Sequence, residues 1–321
     1  VNSDGGTMIY TALRRPDGYV GKPADAGTDV FNTASYDSTA PAFNANFPVD
    51  MGFFKRSQQS NSWRLSARLI AETYLEIDNT GAESAETDYV FDYNDGWNKQ
   101  TGYANTELSW MFKRHSGFDV VTYKGDGVAG RKIPHSLNKT PEMIWIRARN
   151  GGEWIVGHHG VNSGTNPWNY EMLLHDARAE GASANKFNNT APTSIVFTVG
   201  DNTYVNQSGT NYVSMLFSSV AGISKVGSYT GNGVKTGNVQ TLGFQPRFIF
   251  IKCTDTASTI WLVFDTLLGI NSGNDNLLRF NGTNSTSAGD YIDLTSDGFD
   301  VVEDLDHING NNKNYIYYAH A

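Results

Sequence analysis

An aromatic, apolar strand ended by glycine recurs along this sequence at near-constant spacing, and it limits the fold more than any other property. The copies are Met8-Ile9-Tyr10-Thr11-Ala12-Leu13 before Gly18, Leu108-Ser109-Trp110-Met111-Phe112 before Gly117, and Tyr212-Val213-Ser214-Met215-Leu216-Phe217 before Gly222. A last copy, Tyr315-Ile316-Tyr317-Tyr318-Ala319, stands near the C-terminus. The glycines are roughly 100 residues apart, the size of one small domain. Three modules of one architecture follow, with boundaries near Gly117 and Gly222.

A second landmark keeps the same register. Module two reads Pro141-Glu142-Met143-Ile144-Trp145-Ile146-Arg147, a polar loop, then Trp154-Ile155-Val156; module three reads Pro246-Arg247-Phe248-Ile249-Phe250-Ile251-Lys252, then Trp261-Leu262-Val263. Module one is a degenerate copy, Val49-Asp50-Met51-Gly52-Phe53-Phe54-Lys55 followed by Trp63-Arg64-Leu65. Pro141, Pro246 and the three tryptophans Trp63, Trp154 and Trp261 are therefore scaffold landmarks. Trp154 and Trp261 are expected to be buried on their own module's core. Opening turns recur as well: Tyr123-Lys124-Gly125-Asp126-Gly127 and Tyr229-Thr230-Gly231-Asn232-Gly233 carry tight-hairpin chemistry.

With 33 Gly, 16 Tyr, 17 Phe and 7 Trp, and short strands between Gly/Asn/Asp/Ser clusters, the expected fold is all-β: three tandem β-sandwich, jelly-roll-like modules. Residues 1–18 would hold a preceding closing strand or N-terminal segment. Modules one, two and three would span 19–117, 118–222 and 223–321. Within module one, the Ala/Asn/Pro-rich stretch Pro23 to Phe47 reads as an irregular arm available for assembly contacts. Ser66 to Ile77 has helical composition yet aligns with strand, and both readings stay open.

The formal net charge of −9 argues against nucleic acid as a partner, because phosphate binding needs clustered Lys and Arg. The one cysteine, Cys253, can form no intramolecular disulfide. No apolar run reaches the ~18 residues of a membrane-spanning helix, so membrane insertion is not expected. A chain starting at Val1 with no signal-peptide pattern fits a processed chain, or a piece of a longer one.

The turn Tyr229 to Gly233, the run Leu242-Gly243-Phe244-Gln245-Pro246, Trp261-Leu262-Val263-Phe264-Asp265, Asp297-Gly298-Phe299-Asp300-Val301 and the ending Asn314 to Ala321 together resemble a family of repeated β-modules. These modules occur in phage virion proteins, particularly tail and fibre proteins of marine and cyanobacterial phages. The resemblance covers modules two and three and the second half of module one. It implies a non-enzymatic virion structural protein, a tail or fibre component outside the cell, whose stacked modules act as rigid spacers presenting loops for host attachment. It implies no catalytic residues. Partners would be other copies of the chain, other virion proteins and a host-surface glycan. The rival readings are a carbohydrate-binding extracellular protein, a head-decoration protein and a glycan depolymerase.

Aromatics that the repeat does not require lie in Asn/Gly/Ser loops: Trp97, Tyr103, Trp168 and Tyr170 are the candidate ligand-binding residues, able to stack on sugars or contact a protein. Glu303 to Gly310 has alternating carboxylates but the wrong register for a calcium loop and reads as a hairpin. His158, His159 and His175 lack close metal-ligand spacing and read as solvent-facing, so no metal and no cofactor is expected. The acids Glu83, Glu86, Asp88, Asp92 and Asp95 could offer a glycosidase pair but read as a solvated loop.

Overall fold

The structure, a computed structural model, describes residues 24–99, 102–103 and 106–321. It contains three six-stranded sheets of one antiparallel strand order. Module one runs Phe31–Ser35, Glu107–Phe112, Met51–Arg56, Arg64–Ala67, Thr73–Glu76, Ser84–Ala85. In module two the order is Phe118–Lys124, Asn211–Phe217, Met143–Ala148, Trp154–His158, Tyr170–Leu173, Gly181–Ala182. Module three follows with Ser224–Thr230, Asn314–His320, Phe248–Cys253, Leu262–Asp265, Asp275–Arg279, Ser287–Gly289. The three closing strands lie second in their sheets and pair on both edges. With both faces also covered, they read as nearly continuous apolar runs, interrupted only by Ser109 and Ser214, rather than as alternating ones. The boundary glycines fall in the tight turns between His115 and Phe118 and between Val220 and Ser224. Met8 to Leu13 and the boundary at Gly18 lie outside the described residues.

Each large sheet buries two faces. On the outer face a small sheet closes a sandwich: Phe43–Asn44 with Gly96–Trp97 in module one, Arg131–Pro134 with Val196–Val199 in module two, and Asn238–Thr241, Gly298–Val301 and Ile292–Thr295 in module three. Because side chains alternate along a strand, Phe54, Ile146 and Ile251 enter these separate outer cores. Their neighbours Phe53, Trp145 and Phe250 point the other way, into one core common to all three modules.

The modules close a ring around that common core. Trp63 Nε1 donates to the Arg279 carbonyl at 2.7 Å, Trp154 Nε1 to that of Glu76 at 2.8 Å, and Trp261 Nε1 to that of Leu173 at 2.8 Å. The three acceptors occupy equivalent places, beside Leu262, Arg64 and Ile155 in their ladders. Backbone bonds repeat the circuit: Glu83 N to Arg149 O at 2.8 Å, Glu180 N to Thr254 O at 2.6 Å, and Thr286 N to Ser57 O at 2.7 Å. The seam between modules three and one is thus made like the two seams between chain neighbours. The arrangement is pseudo-threefold, and the sandwiches do not string out as spacers.

Two expectations change. Trp154 and Trp261 are fully buried, but in the common core rather than their own module's, since only the neighbouring sheets cover the inner face. The arm is not irregular: its described part contains Phe31–Ser35, paired along its whole length with Leu108 to Phe112, and Phe31, Phe43 and Phe47 are buried. A few large aromatics among many small residues suffice, because the rest of module one supplies the opposing surface. Ser66 to Ile77 resolves as the end of one strand, a single 3-10 turn at Arg68–Ile70 and the strand Thr73–Glu76.

Candidate functional site

Equivalence among the modules identifies the places where one departs from the others. Arg56 pairs with Glu107 at the ladder position where Ala148 pairs with Tyr212 and Cys253 with Tyr315. Arg64 faces Phe54 where Ile155 faces Ile146 and Leu262 faces Ile251. In modules two and three these positions are buried, and the tyrosines tie down a turn: Tyr212 donates to Thr203 O and Tyr315 to Asp306 O. Module one places charge at all three. Beside its outer core, which is built around the Phe43–Trp97 stack, lies a cleft of about 410 Å³ lined by Arg56, Arg64, Glu86, Asp88, Tyr89, Lys99, Gly102 and Tyr103.

The cleft is internally organised. Glu107, fully buried, receives Lys99 Nζ at 2.9 and 3.0 Å and the Tyr103 backbone N–H at 3.1 Å, with Arg56 Nε at 3.9 Å. Burial lowers the Lys99 ammonium pKa, against the opposing effect of Glu107. The Arg56 guanidinium lies over the Tyr103 ring, 3.7 Å from its centroid, and that of Arg64 lies 4.4 Å from the Tyr74 centroid while donating to Tyr89 Oη at 3.2 Å. Such cation–π contacts hold planar groups in place. Gly102 is needed here: a Cβ would stand 2.3 Å from the Tyr36 ring.

Of the four aromatic candidates, only Tyr103 lines this cleft, and it is half exposed. Trp97 is fully buried, stacked on Phe43 and Phe91 with its Nε1 bonded to Ser109 Oγ at 3.0 Å. Trp168 is 6 % exposed and packs edge-on against Phe187, in space that exists because residue 157 is glycine. Tyr170 packs against the common core. Loop composition gave no way to distinguish these core aromatics from exposed ones. Arg56 and Arg64 were missed, although their departure from the apolar residues of modules two and three was legible in the aligned repeats.

The other candidates become structural. His158 is fully buried rather than solvent-facing, and its Nδ1 accepts the Gly160 N–H at 2.9 Å. His159 is half-buried beside it, and His175 lies near the Trp154 N–H, 3.4 Å away. Among the described residues no group of three or more His, Cys, Asp or Glu could hold a metal ion. Glu83 belongs to the seam with module two, bonded to Arg149 Nε at 2.6 Å, rather than to a solvated loop. Glu86 and Asp88 reach the cleft. In the stretch from Glu303 to Gly310, buried Asn309 donates to Asn232 Oδ1 at 2.9 Å and Val234 O at 2.8 Å, bolting down the opening turn of module three as Asn206 does that of module two. Asp265, at the position of His158 and Ala67, accepts from Thr33 Oγ1 at 2.9 Å and Trp110 Nε1 at 3.0 Å, joining modules three and one.

A family model described as a domain of unknown function (DUF7483) matches residues 96–321, from Gly96 in the small sheet of module one through modules two and three. A comparison with curated proteins gives no match.

Proposed function

The chain belongs to the DUF7483 family, whose description names no activity. From the repeat and its resemblance to virion modules, we propose a non-enzymatic role as a structural and adhesive component of a virion surface appendage. In this reading it is part of a tail or fibre and presents the module-one cleft for attachment to a host surface. One observation carries the proposal: three near-equivalent modules form a closed scaffold, and a single module replaces repeat positions by Arg56, Arg64 and Glu107. Repetition fixes the frame, and the departure from it provides the site. The similarity of the turn and strand motifs to repeated modules of phage virion proteins supports the placement. Partners would be further copies of the chain and other virion proteins. They would cover the exposed end of the edge strand Phe118–Lys124, at Thr122 and Lys124.

The test uses purified particles and the recombinant chain. The chain is expected in the particles by mass spectrometry and in an appendage by labelled electron microscopy. Free chain should compete with particles for host adsorption, and Arg64→Ile, which installs the module-two residue, should compete poorly while melting like the parent. Absence from particles rejects the virion placement, and undiminished competition by Arg64→Ile rejects the cleft. Release of reducing ends from host polysaccharide rejects the non-enzymatic reading.

A further inference from the structure

Resting on the cleft as the attachment site, we infer that its ligand is uncharged and polyhydroxylated, a neutral glycan terminus held between the Arg56–Tyr103 stack and the Arg64 guanidinium. The charge pattern carries the inference. The cations Arg56, Arg64 and Lys99 are matched by Glu86 and Asp88 in the lining and by Glu107 beneath. Both Glu107 oxygens already hold Lys99 Nζ, at 2.9 and 3.0 Å, and Arg56 Nε stands 3.9 Å from the same carboxylate. The positive charge at the floor is therefore met within the protein.

A carboxylated or sulfated ligand drawn to Arg64 would also meet Glu86 and Asp88, and a cationic ligand drawn to those acids would meet Arg56 and Arg64. Hydroxyl groups suit both, since one hydroxyl accepts from a guanidinium while donating to a carboxylate. The Tyr103 ring is half-exposed with Arg56 over one face at 3.7 Å, which leaves its other face as the one to meet the C–H side of a sugar ring in this proposal. A volume of about 410 Å³ lies within the range of small-ligand sites, ~300–1,000 Å³, and suits a terminal unit rather than a long polymer stretch.

The experiment is calorimetric titration of the full chain with methyl glycosides and disaccharides of neutral hexoses, alongside their uronic-acid and sulfated counterparts. Saturable binding of at least one neutral probe is expected. It should weaken tenfold or more in Arg64→Ile and Arg56→Ala, which carry the residues of module two, and in Tyr103→Ala, whose exposed ring can be removed without opening a core. Melting temperatures should stay close to the parent's. Binding confined to the charged counterparts overturns the neutral class while leaving the cleft as the site. So does host-surface binding that is lost in these variants with no saccharide bound. Saccharide binding unchanged in all three variants overturns the cleft itself.

Discussion

Beside Trp110 and Trp145, the common core holds the repeated tryptophans Trp63, Trp154 and Trp261, one from each module, and the indole N–H of each crosses to a carbonyl of another module. Trp261→Ala removes a fully buried side chain and leaves the Leu173 carbonyl unpaired, so a loss of about 3–5 kcal/mol is expected in denaturant unfolding. A near-parental midpoint would contradict the burial. A second residue-scale effect concerns pH. Burial pushes the His320 imidazole down to about 3 and that of His115 to about 3, and it lowers that of His158 in the same sense. These groups are neutral in the fold but titrate at ~6.5 when unfolded. Their contribution is complete above that value and is lost as pH falls toward 3. Asp265, raised by burial to about 6, acts oppositely: between 3.8 and 6 the folded state holds the extra proton, so stability falls as pH rises. His135, His159, His175 and His307 are lowered by burial as well, while Asp50, Asp78, Glu171, Glu180 and Asp275 are raised like Asp265. The large downward shifts of the fully buried histidines set the sign, and the urea midpoint should drop between pH 6.5 and 4. His320→Phe, which installs the residue of Phe112 and Phe217, should flatten that slope; a parental slope would assign the acid lability elsewhere.

At the scale of the element, the first strand of module one is the informative case. Phe31–Ser35 pairs with Leu108 to Phe112, and the Phe31 ring packs against Phe112, Phe248 and His320, so it touches modules one and three together. Deleting residues 24–47 should therefore destabilise the whole chain and expose apolar surface, read as aggregation or dye binding with loss of the cooperative melt. A deletion variant that melts like the parent would restore the picture of a detachable arm. The same region shows why strand and arm were hard to separate in sequence. An edge strand needs only alternate residues buried, and Phe31-Asn32-Thr33-Ala34-Ser35 supplies two, Phe31 and Thr33.

For the whole molecule, a ring with three equivalent seams should unfold as one unit. Heating is expected to give a single calorimetric transition with matching calorimetric and van't Hoff enthalpies, since no module can leave without exposing the inner faces of the others. Module three alone, residues 223–321, would present Phe248, Phe250, Trp261 and Tyr318 to water and should not hold a unique fold. Three resolved transitions, or a stable isolated module, would show that the common core is energetically minor.

The repeat was legible in the sequence because it is written in local terms. Closing strands expected near 106–113, 211–218 and 314–320 occur at Glu107–Phe112, Asn211–Phe217 and Asn314–His320. The two internal glycine boundaries fall in turns as well. Apolar runs, turn glycines and register depend on neighbours along the chain and across one ladder, and the side-chain period of two makes them readable. What the inner faces meet was decided only in three dimensions. A strand buried on both sides by its own module and one buried on the second side by another module have the same sequence pattern. The closed ring, the shared tryptophans and the burial of Trp97 and Trp168 therefore came from tertiary structure. The cleft stands between these cases. Its residues were visible as departures from the repeat at Arg56, Arg64 and Glu107, but that they gather around Tyr103 into one cavity follows from which face each strand turns toward the small sheet.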